Sequence, residues 1–203
     1  FIDKAGGNAG ITVLNATVGM TYVTVNNSYS GVDYQFENKA VSISVDNCNF
    51  THMDYFGVRI NGYAWAVDSN VTDITVPISI TNSIFDGNDY GVDIWWLEAN
   101  AQDNATAKMT CDISILNNTF EGSNSAAIYY DLNVDISENG TAAIAGDILI
   151  KGNTIKTSRY GIQKENDNDI RAEDTSDIMI SGDISIVNNT FEDLVDDAIY
   201  LNA

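Results

Sequence analysis

Short runs of strict apolar–polar alternation recur along this chain. Ile78 and Ile80 flank Ser79, and Ile113 and Ile115 flank Ser114. Period two with β-branched residues predicts strands, because successive strand side chains point to opposite faces. The alternation opens a longer phrase that reads ISVDNCNF from Ile43, ISITNSIF from Ile78, ISILNNTF from Ile113, ILIKGNTI from Ile148 and ISIVNNTF from Ile184. A weaker copy, ITVLNATV, begins at Ile11. The first step is 32 residues and the later ones are 35, 35, 35 and 36. A small residue and then a β-branched one follow 13 or 14 residues after each start: Gly57-Val58, Gly91-Val92, Ala127-Ile128, Gly161-Ile162 and Ala198-Ile199. In the first copy Gly31-Val32 lies 20 residues on, which predicts a longer loop there. A third phrase precedes the starts, as in Met109-Thr110-Cys111-Asp112, Ile144-Ala145-Gly146-Asp147 and Ile180-Ser181-Gly182-Asp183. Each unit is therefore expected to hold three short strands separated by turns.

Such strands are too short and too one-sided to stand alone. Stacked at about 4.8 Å they form parallel sheets around one continuous core. The prediction is an all-β parallel β-helix, a β-solenoid of stacked β-arches with about six coils of about 35 residues. It forms a single domain over residues 1–203, with coils starting near 11, 43, 78, 113, 148 and 184. The first and third positions predict aliphatic ladders, Ile43 to Ile184 and Val45 to Ile186. The fifth predicts an asparagine ladder of Asn15, Asn47, Asn82, Asn117 and Asn188, broken by Gly152, whose amides bond along the axis. The eighth predicts an aromatic ladder of Phe50, Phe85, Phe120, Ile155 and Phe191. Glycine or alanine before the second strand suits a corner where a side chain would crowd the interior.

The phrase I-x-I-x-N-N-x-F followed by G-[VI] resembles the parallel β-helix repeat of pectin-lyase-like folds and of archaeal surface proteins. The resemblance covers nearly the whole chain. It implies the fold, whereas function on this fold sits in added residues. Relatives that cleave polysaccharide carry acid clusters with basic partners, such as an Arg-Ile-Lys strand or a calcium-binding acid cluster beside an arginine.

This chain does not reproduce those sets. His52 is the one histidine and is expected in a turn after a ladder phenylalanine. Arg59 is expected to face solvent. Asp196-Asp197 is the one adjacent aspartate pair and has no counterpart in other coils. Glu165 to Asp169 looks like a calcium loop but has Ile170 where such a loop needs glycine and Ser176 where it needs glutamate. No catalytic residue, cofactor or specific metal site is expected; weak calcium binding by the acidic surface as a whole is left open. Outward positions of the first strand (Ser44, Ser79, Ser114, Leu149, Ser185) repeat no acid. Trp95-Trp96 places at least one ring outward, for a subunit interface, loop packing or sugar contact.

The chain carries 29 acidic against 9 basic residues, a net charge of -20, with 44% hydrophobic residues. The core is ample, and the charge disfavours nucleic acid and anionic lipid as partners. No run of 18 apolar residues predicts a membrane span. Cys48 and Cys111 sit two coil rises apart on different sides of the phrase, about 10 Å along the axis, beyond the reach of an intrachain bridge. They are either buried free thiols or form intermolecular disulfides. Asn70, Asn104 and Asn139 begin N-x-[ST] at spacings of 34 and 35, and are the glycosylation candidates. Acidity, sequons and few thiols favour an extracellular, cell-surface location.

Neither end reads as capped, and residues 1–10 are expected as a strand that completes a neighbour's coil. Head-to-tail stacking into a homo-polymer, ring or filament follows. An acidic, uncapped, cysteine-poor β-helix is similar to the stacked-hoop sheath of methanogenic archaea. The expected function is thus a structural, self-assembling glycoprotein of a sheath or S-layer-like cell envelope and not an enzyme. The alternative is a carbohydrate-binding or polysaccharide-degrading β-helix protein.

Overall fold

The structure, a computed structural model, describes residues 2–3, 9–137, 139–164 and 177–202. Among these residues every strand pairing is parallel, and the strands stack in four sheets that wrap one core. Sheet I has six strands: Val18–Thr21, Ile43–Asp46, Ile78–Thr81, Ile113–Leu116, Ile148–Lys151 and Ile184–Val187. Sheet II has seven very short ones, from Ile2–Asp3 through Asn49–Thr51 and Ile84–Asp86 to Thr190–Glu192. Sheet III also has seven and holds the longest: Ala9–Leu14, Ser30–Glu37, Phe56–Ala66, Tyr90–Gln102, Ala126–Ser137, Tyr160–Lys164 and Ile199–Leu201. Sheet IV has four: Val71–Thr75, Thr106–Thr110, Thr141–Ala145 and Asp177–Ser181.

The β-solenoid is as expected, but a coil has four strands, not three. The ladder phenylalanine lies on a strand of its own in sheet II. Six layers stack in sheet I, and four coils carry all four strands. The aliphatic ladders run in register, with Ile78 opposite Ile43 and Ile113, and Ile80 opposite Val45 and Ile115. Phe85 lies between Phe50 and Phe120, with ring centroids 5.4 and 4.8 Å away, and all three are fully buried. The corner glycines fit under these rings: a Cβ on Gly57 would come within 2.6 Å of Phe85 Cδ1 and 2.7 Å of the Gly91 carbonyl oxygen.

The first coil begins at Val18, not Ile11. Val18–Thr21 pairs with Ile43–Asp46, whereas Ile11 pairs with Val32 in sheet III. Gly31 then lies 13 residues after the start, as in later coils, so no long loop is needed. The two strand types look alike in sequence because each alternates and then turns through a left-handed residue; Asn15 has φ 49. The described residues ahead of Ile11 pair within this chain. Ile2–Asp3 pairs with Thr24–Asn26 in sheet II and Ala9–Leu14 with Ser30–Glu37 in sheet III, an incomplete layer on this chain's own first coil.

The asparagine ladder also shifts by one residue. Asn47, Asn82, Asn117 and Asn188 are exposed turn residues with φ between 50 and 56. Asparagine tolerates that left-handed conformation better than most residues, and Gly152 (φ 69) replaces it without loss. The buried amides stand one position later. Ser83 N–H donates to Asn118 Oδ1, and Asn118 Nδ2 donates to the Ile80 carbonyl, both at 2.9 Å. Asn118 N–H donates to Asn153 Oδ1 and Asn153 N–H to Asn189 Oδ1, again at 2.9 Å. The third phrase has a matching role: Asp147 N–H donates to Asp112 Oδ1 and Asp183 N–H to Asp147 Oδ1, at 3.1 and 2.9 Å.

Candidate functional site

The long strands of sheet III give the solenoid its widest outer face. On Phe56–Ala66, Ile60, Ala64 and Ala66 point inward, so Arg59, Asn61, Tyr63 and Trp65 point outward. On Tyr90–Gln102 the pairing shifts between Ile94 and Leu97, a β-bulge. Ile94 and Leu97 are both buried in the core, so Trp95 and Trp96 both lie on the outer side. The sequence guarantees one outward ring from two adjacent residues; the bulge provides two.

Two arrangements share this face. In the first, Arg59 is held between rings and a carboxylate. Its Nε donates to Asp93 Oδ2 at 2.9 Å, and its guanidinium carbon lies 4.8, 4.1 and 4.9 Å from the ring centroids of Tyr55, Phe56 and Trp95. Arg59 does leave the core, as expected, but it is stacked rather than free in solvent. Nη2 lies 2.9 Å from the same Asp93 oxygen without hydrogen-bond alignment, so that contact is one of charge alone. Asp93 is fully buried, and its Oδ1 has no partner. Burial pushes its carboxyl from the ordinary 3.8 up to about 6, against the pull of Arg59 and with the help of the Asp33 and Asp89 charges.

A raised carboxyl favours the protonated folded state. The stabilisation this site contributes is complete below about pH 4 and is lost as pH rises through about 6. Relative to Asp93→Asn, the wild-type protein should lose on the order of 2 kcal/mol between pH 4 and 7. Urea midpoints for both proteins across that range test this; a constant difference would show that Asp93 does not titrate there.

In the second arrangement an open groove of about 340 Å³ is lined by Glu37, Tyr63, Trp65, Glu98, Asn100 and Gln102. These residues come from three adjacent coils. Glu37 is opposite Tyr63, Tyr63 opposite Glu98, and Trp65 opposite Asn100. Tyr63 and Trp65 are exposed to 37% and 46%, enough to offer ring surface to a ligand. Trp96 Nε1 donates to Glu98 Oε2, and Asn100 Nδ2 donates to Glu98 Oε1 at 3.0 Å, which fixes the carboxylate. Asn100 Nδ2 also donates to Asp135 Oδ2 at 3.0 Å. Burial, chiefly, and the Glu98 and Glu37 charges push the Tyr63 hydroxyl up from 10.0.

The other residues singled out in the sequence lie elsewhere. His52 is exposed in a turn with φ 55. Asp196 accepts from Arg159 Nε at 2.8 Å. Glu165 to Asp169 fall outside the described residues, and among the described ones no group of three or more His, Cys, Asp or Glu is placed to hold a metal ion. Asn70, Asn104 and Asn139 are exposed at the turn between sheets III and IV. Asn104 and Asn139 share the left-handed position, with φ 62 and 61, and Asn70 lies one residue further on.

Cys48 and Cys111 are free and buried within this chain, at 2% and 3% exposure, the first of the two arrangements the sequence allows. Cys48 fills the corner position taken by Ser83 in the next coil, and its N–H donates to Ser83 Oγ at 3.0 Å. Burial pushes the Cys111 thiol up to about 12 and the Cys48 thiol up as well. A thiol held neutral and covered is a poor nucleophile. Neither cysteine should react with a disulfide reagent at pH 8 until the chain unfolds, and both should react in denaturant. Release of one equivalent from the folded protein would contradict that burial.

Sequence reasoning missed Tyr63, Trp65, Glu37 and Glu98 because it judged the outward row from sheet I, where serine recurs. The signal was present in Gly62-Tyr63-Ala64-Trp65-Ala66. There the large residues alternate with alanine, and Ala64 and Ala66 are buried in the core. Outward aromatics stand on two successive coils of this face, Tyr63 and Trp65 on one and Trp95 and Trp96 on the next. No family model, no curated protein and no solved structure matches the chain.

Proposed function

We propose that this chain is a structural β-solenoid of an extracellular wall, assembling by end-to-end stacking of coils. The observation that carries the reading is the last coil. Ile184 and Ile199 are exposed to 46% and 42%, whereas their counterparts one layer up, Ile148 and Ile162, are exposed to 4% and 0%. Val187 and Leu201 are exposed in the same layer. A strand layer of the same pattern, from whichever chain, fits on that face by strand addition, and the proposal is that copies of this chain meet there. Regular apolar ladders repeated from coil to coil and an acidic exterior suit a load-bearing shaft better than a catalyst. The exposed sequons at Asn70, Asn104 and Asn139 supply sites for surface glycans. The resemblance to methanogen sheath proteins belongs to the same proposal, as do a cell-surface location and the exclusion of nucleic acid by charge.

Electron microscopy and sedimentation of the purified 203-residue chain test the reading. Rings, tubes or filaments are expected, and Ile184→Lys with Ile186→Asp should abolish them while leaving the far-UV spectrum of strands intact. A monodisperse monomer at millimolar concentration would sink the proposal. No helix among the described residues is long and apolar enough to cross a membrane.

A further inference from the structure

We infer that the sheet III groove binds a glycan bearing free amino groups, such as a glucosamine oligomer. The inference is separate from the stacking proposal, because the groove lies on the solenoid's flank and not on its end.

The chemistry of the lining is one-sided. Glu37 and Glu98 stand on either side of Tyr63 in the ladder, and among the described residues no lysine or arginine lines the groove. Both carboxylate oxygens of Glu98 already accept hydrogen bonds from this chain, so its charge is fixed in place rather than left to swing in solvent. Ring faces carry partial negative charge and add to that field. Everything at the floor and walls therefore favours a cation and disfavours a uronic acid. The net charge of -20 makes the second statement stronger.

Shape distinguishes an amino sugar from a simple ammonium. A small cation is held best in a cage of rings that face one another. Tyr63 and Trp65 instead lie two residues apart on one face of one strand, side by side, in a groove that is open along its length. Adjacent ring platforms suit successive pyranose rings, whose axial C–H faces stack on aromatics. Hydroxyl groups then find the amides of Asn100 and Gln102. On the next rung Asn133 stands opposite Glu98, 6% exposed, with its buried Nδ2 lacking a hydrogen-bond partner.

The test is titration of the folded chain with four tetrasaccharides, read by tryptophan fluorescence and calorimetry. The tetramers are of glucosamine, N-acetylglucosamine, cellotetraose and galacturonic acid, with tetralysine as the peptide comparison. The glucosamine tetramer should bind at least tenfold more tightly than the N-acetylated and neutral ones, and the galacturonate tetramer should not bind. Trp65→Ala should reduce glucosamine binding at least tenfold, and Glu98→Gln should remove the preference for the free amine while leaving neutral-sugar binding in place. Both side chains are at the surface, and an unchanged thermal midpoint confirms that the variants fold. Equal affinity for cellotetraose would overturn the amino-sugar assignment. Tetralysine binding that depends on Trp65 as strongly would assign the groove to a protein partner instead. Binding that neither substitution alters would reduce it to adsorption on an acidic surface. Filament formation that survives Trp65→Ala keeps the failure of this inference distinct from failure of the stacking proposal.

Discussion

Phe85→Ala is expected to cost about 3–5 kcal/mol of folding stability, the range for deleting a large buried ring. Phe85 is fully buried and sandwiched by Phe50 and Phe120, with interplanar angles of 18° and 9°. The void could not close, because each neighbouring ring is pinned by the hydrogen-bonded register of its own strand, Phe85 opposite both Phe50 and Phe120. A solenoid layer also contacts only its two neighbours, so the loss falls on two interfaces at once. Phe191→Ala, at a half-buried position in the last layer, should cost markedly less. Urea unfolding followed by far-UV circular dichroism measures both. A loss below 1 kcal/mol for Phe85→Ala would mean that the ladder rings do not carry the core.

Two adjacent asparagines should behave in opposite ways. Asn118→Ala removes the acceptor for Ser83 N–H and the donor to the Ile80 carbonyl, both in a corner that water does not reach. Leaving two buried groups unmatched costs roughly 2–4 kcal/mol. Asn117 is exposed at φ 56, so Asn117→Ala should cost only about 1 kcal/mol of left-handed strain, and Asn117→Gly about nothing. The same unfolding measurement compares them. If Asn117→Ala proved the more damaging, the amide ladder would stand at the fifth position of the phrase and not the sixth.

That pair also shows how far the sequence could be read. The phrase N-N recurs, but nothing in its spelling says which amide turns inward. Period-two alternation stops at the strand end, and the left-handed residue that follows resets which side is inside. The phenylalanine ladder was legible because one large apolar residue at a 35-residue period has few alternatives to the core. The start at Ile11 was misassigned for the converse reason: sheets I and III both present alternation followed by a left-handed asparagine, and local pattern cannot separate them. The groove was hidden by the bulge at Trp95-Trp96 and by lining residues that lie 61 positions apart, from Glu37 to Glu98.

By itself the sequence determined a parallel β-solenoid, its repeat length and its apolar ladders. Those follow from spacing and side-chain size, and each copy states them independently. Tertiary structure alone decided that a coil has four sides, that the buried amides stand one residue beyond the exposed ones, and that both thiols are covered. It also gathered Tyr63, Trp65, Glu37 and Glu98 on one outer face. The physical reason is the same in each case. Which way a side chain points after a turn depends on the backbone angles of that turn, and which side chains become neighbours depends on the register in which successive coils pair.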